Sequence, residues 1–270
     1  MTTTALPSQS AAAGGPVAYV TQVLAVTDAE AVKLRHDPMD LFTRAVQPIL
    51  WLLLFGQVMA RVRGFGADGS YLDFLAPGVL AQSVLFVAIF YGLSAIWERD
   101  LGVLQRYLVS PAPRSALVIG KALASSIRAL AQSIVVYLCA AILGVRLAMQ
   151  PAAIVGVIGL VVLASALFST FSLIIACLVK TRERFMGIGQ FLTMPIFFAS
   201  NAIYPISIMP AWLKVIARVN PLSYEVDGLR ALMLESGSSQ FGLPLDYGVL
   251  ASVIVALVIV ATRMYPRLTQ

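Results

Sequence analysis

Residues 72–121 read LDFLAPGVLAQSVLFVAIFYGLSAIW and then ERDLGVLQRYLVSPAPRSALVIGK. The first part carries no charge between Phe74 and Trp97. Crossing a bilayer core of about 30 Å takes roughly 20 apolar residues in helix, because backbone N–H and C=O groups cannot be left unpaired in hydrocarbon. Residues 72–97 therefore read as a membrane span. The second part changes character at once. Glu98, Arg99 and Asp100 follow the span directly, and Leu101, Leu104 and Leu108 then form a short apolar stripe while Gln105 and Arg106 point elsewhere. That pattern is one small amphipathic helix. Ser110-Pro111-Ala112-Pro113 ends it, since proline removes a backbone donor and restricts the residue before it. Residues 115–127 resume a helical pattern leading into the next span. A charged helix held between two spans and stopped by a rigid corner can dock a soluble partner and pass motion to two helices at once. An ordinary cytoplasmic loop carries the same residue types, and spacing alone leaves both readings open.

Outward from this stretch, the 270-residue chain is 59% hydrophobic and 12% charged, with a mean hydropathy of +0.87. Soluble domains carry roughly a quarter charged residues, so the class is a membrane protein. Six apolar stretches predict six spans, at 45–60, 72–97, 128–145, 152–179, 185–206 and 245–262. The first is short, and Leu41 and Phe42 lengthen it if Arg44 snorkels to the interface. Before it, Val20, Val23, Leu24, Thr27, Ala31 and Leu34 recur at helical spacing, predicting an amphipathic interfacial helix over 17–40 on the cytoplasmic surface. Residues 1–16 read as a disordered cytoplasmic tail, without the basic and apolar regions of a signal peptide. The whole of 41–270 then forms one six-span unit.

An even number of spans puts both termini on one side, and basic residues set which side. Lys33, Arg35, Arg44, Arg99, Arg106, Arg114, Lys121, Lys180, Arg182, Arg184, Arg263 and Arg267 share the side of the termini. Arg61, Arg63, Arg146, Lys214, Arg218 and Arg230 take the other. Twelve against six places the termini and the 98–121 segment in the cytoplasm of a cell bounded by its plasma membrane. Between the last two spans, residues 204–237 are too long for a tight turn and too apolar for a solvated loop. Pro205, Pro210 and Pro221 punctuate them, and Trp212, Leu213, Val215, Ile216 and Val219 predict short helices dipping into the outer interface, an external re-entrant hairpin.

Several chemistries lack their residues. Cys139 and Cys177 fall inside apolar runs and read as free buried thiols. His36, the one histidine, has no Cys or His neighbour with which to complete a metal site. The basic residues are scattered between apolar runs, which argues against nucleic acid. Gln82, Gln132, Gln190 and Asn201 are isolated in the spans, without the carboxylates or charge pairs of an ion or proton pathway. A lipid-modifying membrane enzyme needs clustered acids. Only Glu225 with Asp227 offers a pair, and residues at i and i+2 face different sides of a helix. Gly120-Lys121 is followed by Ala122, and the earlier glycine of a phosphate-binding loop falls at Ser115, so this Gly-Lys cannot cradle a triphosphate.

Trp97, Glu98, Arg99, Gly102, Leu104, Leu108, Ser110, Pro111, Arg114, Gly120 and Lys121 together resemble the signature of ABC-2 type exporter permeases. YPIS at 204–207 with Pro210, Trp212 and Leu213, then NPLSY at 220–224 and Leu229-Arg230, extend the resemblance to nearly the whole chain. These motifs are similar to the daunorubicin-resistance-like, drug-exporting branch. Ser110 stands where many members have Thr, and Gln105 where an acid is frequent, which puts in doubt any one salt bridge to a partner. The resemblance implies a non-catalytic subunit of an all-helical membrane fold, pairing with cytoplasmic ABC ATPase subunits and with a second permease copy or paralogue. No cofactor would be bound by this chain, and ATP and Mg would be used by the ATPase. On that reading Glu98, Arg99, Asp100, Leu104, Arg106, Leu108, Pro111 and Arg114 form the ATPase-coupling helix. The cargo would be an amphipathic drug, antibiotic or lipid moved out of the cytoplasm or inner leaflet, with a lipid-linked glycan or polysaccharide as the alternative.

Pro195 is expected to kink the fifth span. Phe191, Met194, Phe197, Phe198, Asn201 and Trp212 are candidates for an apolar pathway or gate, although lipid contact accounts for the same residues. Arg128 is placed at the cytoplasmic entry of the third span, snorkelling.

Overall fold

A computed structural model describes residues 19–24, 27–28, 46–56, 58, 71–101, 113–179 and 181–265. The described chain is helical, with no strand. It comprises α1 (Val46–Gly56), α2 (Tyr71–Tyr91), α3 (Leu93–Asp100), α4 (Arg114–Ile142), α5 (Pro151–Leu178), α6 (Arg182–Phe198), α7 (Ala211–Val219), α8 (Pro221–Met233) and α9 (Leu243–Met264). Residues 19–24 and 27–28 are also helical, with Val23 buried. The rest of the expected 17–40 helix and the tail at 1–16 lie outside the described residues.

Four helices are long and apolar enough to cross a membrane: Tyr71–Asp100, taken as α2 with α3, then α4, α5 and α9. Of the two other expected spans, α1 carries a π-helical stretch at Trp51–Gly56, and α6 is shorter than its sequence pattern. α6 stops at Phe198, well before Ile206. There the Ser200 hydroxyl donates to Phe197 O at 2.6 Å and accepts from Ala202 N at 3.2 Å, so a side chain takes over backbone bonding and the helix unwinds. α4 starts at Arg114, directly after extended Pro113, so the helical pattern expected at 115–127 runs unbroken into the third span. Arg128 lies mid-helix, with its guanidinium 5.5 Å from the Tyr91 ring centroid.

α2 and α5 form the centre. α2 is apolar all round and buried at almost every position, as a helix enclosed by others must be. α4 packs on α5 through small residues: Ser125 and Ser165 hydroxyls meet at 3.0 Å, and Ser126 donates to Val162 O at 3.2 Å. Such residues let backbones approach where lipid supplies no hydrophobic drive. Gly78 of α2 is needed for a similar reason, since a Cβ there would lie 2.3 Å from the Ala202 carbonyl oxygen. α9 sits on the outside of α5, anchored by the Tyr247 hydroxyl on Gly156 O at 2.6 Å.

The segment expected to dip into an interface contains two unlike helices. α7 is the amphipathic one: Ala217 is buried while Trp212, Val215, Ile216 and Val219 stay exposed. α8 instead penetrates the bundle between α2, α5 and α9, with Leu222, Val226, Leu229 and Met233 fully buried. An isolated antiparallel bridge, Leu147 to Leu234, ties its end to the α4–α5 turn.

Candidate functional site

At one end of the bundle, charged residues tie three helices together. Glu98 closes α3, and its carboxylate accepts from Lys121 Nζ of α4 at 2.6 Å; the two side chains are only 12% and 8% exposed. Asp100, two residues on, takes Arg182 of α6 at 2.9 Å and Arg99 at 3.3 Å. The Arg182 guanidinium also lies over the Trp97 ring at 4.5 Å, and Arg99 Nη1 donates to Val179 O at 3.5 Å. Arg114 stands exposed at the first turn of α4. Leu104, Arg106, Leu108 and Pro111 lie outside the described residues.

Of the expected coupling residues, the structure thus brings Glu98, Arg99 and Asp100 to one junction. It adds two partners that sequence spacing did not pair with them, Lys121 and Arg182. Lys121 was visible as part of the Gly-Lys motif. Its partner was not, because the contact joins residues on two helices separated by the 101–113 segment. The same end receives the N-terminal helical segment, where the Thr27 hydroxyl lies 3.4 Å from Gly120 O.

The expected gate residues do not form one site. Phe198 and Trp212 face a common apolar pocket of about 760 Å³ between α6 and α7. Phe197 is buried instead, edge-on to Trp51 at 6.0 Å. Phe191 is 74% exposed and Met194 half-buried on earlier turns of α6, away from that pocket. Asn201 is fully buried, and its backbone carbonyl accepts from Arg230 at 3.0 Å.

Arg230 belongs to a polar cluster that the sequence did not assemble. Its guanidinium stacks 4.1 Å from the Phe74 ring centroid, joining α8 to α2. Asp227 turns the other way. Its Oδ2 lies 2.7 Å from Ser239 Oγ and accepts Phe241 N at 2.9 Å, while Asp246 of α9 reaches the same hydroxyl at 3.0 Å. The acid that Asp227 approaches is therefore Asp246 and not Glu225, which is buried separately with neither oxygen partnered. Among the described residues no cluster of acids, cysteines or histidines could hold a metal ion.

The family model for ABC-2 type transporters matches residues 21–234, which include both the charged junction and α8. A protein described as a transport permease, ycf38, of Cyanophora paradoxa is 30% identical over 76% of this chain and 71% of its own length. The daunorubicin resistance ABC transporter permease protein DrrB1 of Streptomyces coeruleorubidus is 27% identical over 87% and 81%. The inner membrane transport permease YadH of Escherichia coli K12 is 25% identical over 81% and 84%. With apolar helices of membrane-crossing length and a match over most of its residues, the chain is a multi-pass membrane protein of the ABC-2 type transporter permease family.

Proposed function

We propose that this chain is the membrane-spanning subunit of an ATP-driven exporter in the plasma membrane, moving an amphipathic drug, antibiotic or lipid outward. Two permeases would enclose the pathway and two ATPase subunits would hydrolyse ATP beneath them. The observation that carries this reading is the charged junction. Glu98 with Lys121, and Asp100 with Arg182, fasten the end of α3 to α4 and α6. The 101–113 segment with its amphipathic leucines leaves from that same point. A force applied to that segment by a soluble subunit reaches three helices through two short ion pairs, Glu98–Lys121 largely desolvated and Asp100–Arg182 exposed. An ordinary loop, tethered at its two ends only, moves without them. The drug branch draws support from the similarity to the daunorubicin resistance permease. The pocket shared by Phe198 and Trp212 supplies an apolar outer surface suited to a gate.

The test is the double substitution Leu104→Ser/Leu108→Ser, alongside Pro111→Gly. If the segment is a lever seated in an ATPase cleft, each leucine contributes apolar contact of about 1.5–3 kcal/mol when fully buried there. Transport and substrate-stimulated ATPase activity should then be lost while the permease inserts at normal abundance. Parental transport by the double variant, expressed at parental level, would show that the segment is only a loop.

A further inference from the structure

Gln82 and Gln132, isolated in the sequence, meet in the folded chain. Gln82 of α2 and Gln132 of α4 line one cavity of about 70 Å³, closed on its third side by Gln47 and Pro48 of α1. The two side chains are 3% and 1% exposed. Gln82 Oε1 has no hydrogen-bond partner, nor do Gln132 Oε1 and Nε2. Buried amides are costly without partners, and more so among apolar helices where water is scarce. Leucine would fill either position at no such cost.

The lining defines what fits. It offers carbonyl acceptors from both glutamines and amide donors from Gln132, so the occupant both donates and accepts hydrogen bonds. Among the described residues no ionisable side chain lines the cavity, so a charge brought in would go uncompensated by them in a poorly polar surrounding. The volume suits a single functional group and no whole drug molecule, given that one water occupies about 30 Å³ of liquid. Around the polar floor the walls are apolar. Phe86 and Phe90 stack at 6.0 Å, both half-buried, and offer an aromatic face to the rest of a molecule whose head is inside.

We propose that the α1–α2–α4 cavity is a binding site for the uncharged, hydrogen-bonding head of an amphipathic molecule, an alcohol, phenol or carboxamide, whose apolar body lies along Phe86 and Phe90. That such a molecule is cargo rests on the exporter reading above; occupancy of the cavity does not.

The full-length chain in phosphatidylcholine nanodiscs is photolabelled with 3-azioctanol and, in parallel, with the diazirine alkane of the same chain length lacking the hydroxyl. Labelled peptides are located by mass spectrometry. Saturable labelling by the alcohol is expected on the α2 and α4 peptides that hold Phe86, Phe90 and Gln132. It should fall by about tenfold with the alkane and in Gln82→Leu/Gln132→Leu, with labelling elsewhere unchanged. Because the leucines remove unpartnered amides, the variant should melt no lower than the parent. If that double variant is produced poorly, Gln132→Met carries the same comparison. Absent labelling of the cavity peptides, equal labelling by both probes, or labelling indifferent to the substitutions each overturns the proposal and leaves the amides to water or to the second permease copy. The two readings separate through vesicles containing the permease and its ATPase. ATP-driven dye flux with an unlabelled cavity removes the site and keeps the exporter, and a labelled cavity without flux does the reverse.

Discussion

Substituting Glu98 tests whether the charged junction is structural mortar or a solvated ornament. Removing one partner of a fully buried ion pair costs about 3–5 kcal/mol, whereas a fully exposed pair is worth about 0–1. The Glu98 and Lys121 side chains retain 12% and 8% exposure at an N–O distance of 2.6 Å, which places the pair nearer the buried limit. Glu98→Gln keeps the shape and strands the Lys121 ammonium, at a cost of roughly 2–3 kcal/mol. For a chain of this size that corresponds to a fall of roughly 5–10 °C in melting midpoint. The fold supplies its own reporter. Cys177 is buried in the small core at this end, beside Ile96 and Val118, so a thiol-reactive fluorogenic dye reads the opening of the junction directly. Lys121→Met should lower the midpoint comparably. The double variant Glu98→Gln/Lys121→Met should recover part of the loss, with an interaction energy of about 1–2 kcal/mol. Single variants that melt within about 1 °C of the parent, or shifts that simply add in the double variant, would refute the argument.

Two further outcomes follow from the geometry. Ser239 Oγ accepts Gly242 N at 2.6 Å and has one hydrogen to give, yet it meets carboxylate oxygens of both Asp227 and Asp246. Asp227 Oδ2 also accepts Phe241 N at 2.9 Å, so Asp227 carries two of these contacts and Asp246 one. Asp246→Asn should therefore melt near the parental midpoint, while Asp227→Asn should cost about 1–3 kcal/mol; the opposite order would exclude this ranking of the two acids. Orientation is read by impermeant thiol labelling of intact cells, with cysteine placed at Ser110 or Ser238 in a chain whose Cys139 and Cys177 are replaced. Position 238 should label and position 110 should not, and equal labelling would reverse the twelve-to-six reasoning.

The helices were legible where hydrophobic length alone decides them. α5 spans Pro151–Leu178 against an expected 152–179, and α9 Leu243–Met264 against 245–262. Length failed where local chemistry overrides it. Residues 199–206 are apolar enough to continue α6, but Ser200 captures backbone groups and ends the helix. The helical run at 115–127 was legible as well, since no breaker or cap lies between Arg114 and Arg128 and α4 continues through both. The buried character of α8 was hidden because Glu225, Asp227 and Arg230 make its sequence look half-solvated, while in the fold all three are buried.

The junction separates two roles that the residues expected to couple would play under the proposed exporter function. Glu98 stands out as a charge at the end of a span, and a charge there suggests direct contact with a soluble subunit. Its carboxylate is already committed to Lys121. Withdrawing it would strand an ammonium that is 8% exposed, so docking that broke this pair would work against itself. Glu98 is better suited to hold the stem of the lever than to touch the ATPase. On the proposed exporter reading, contact would fall to residues of the 101–113 segment, where Leu101 is 71% exposed and the sequence pattern continues through Leu104 and Leu108. Loss of Glu98 should thus soften transmission and lower stability together. Loss of Leu104 and Leu108 should uncouple transport at unchanged stability, and that contrast separates stem from seat.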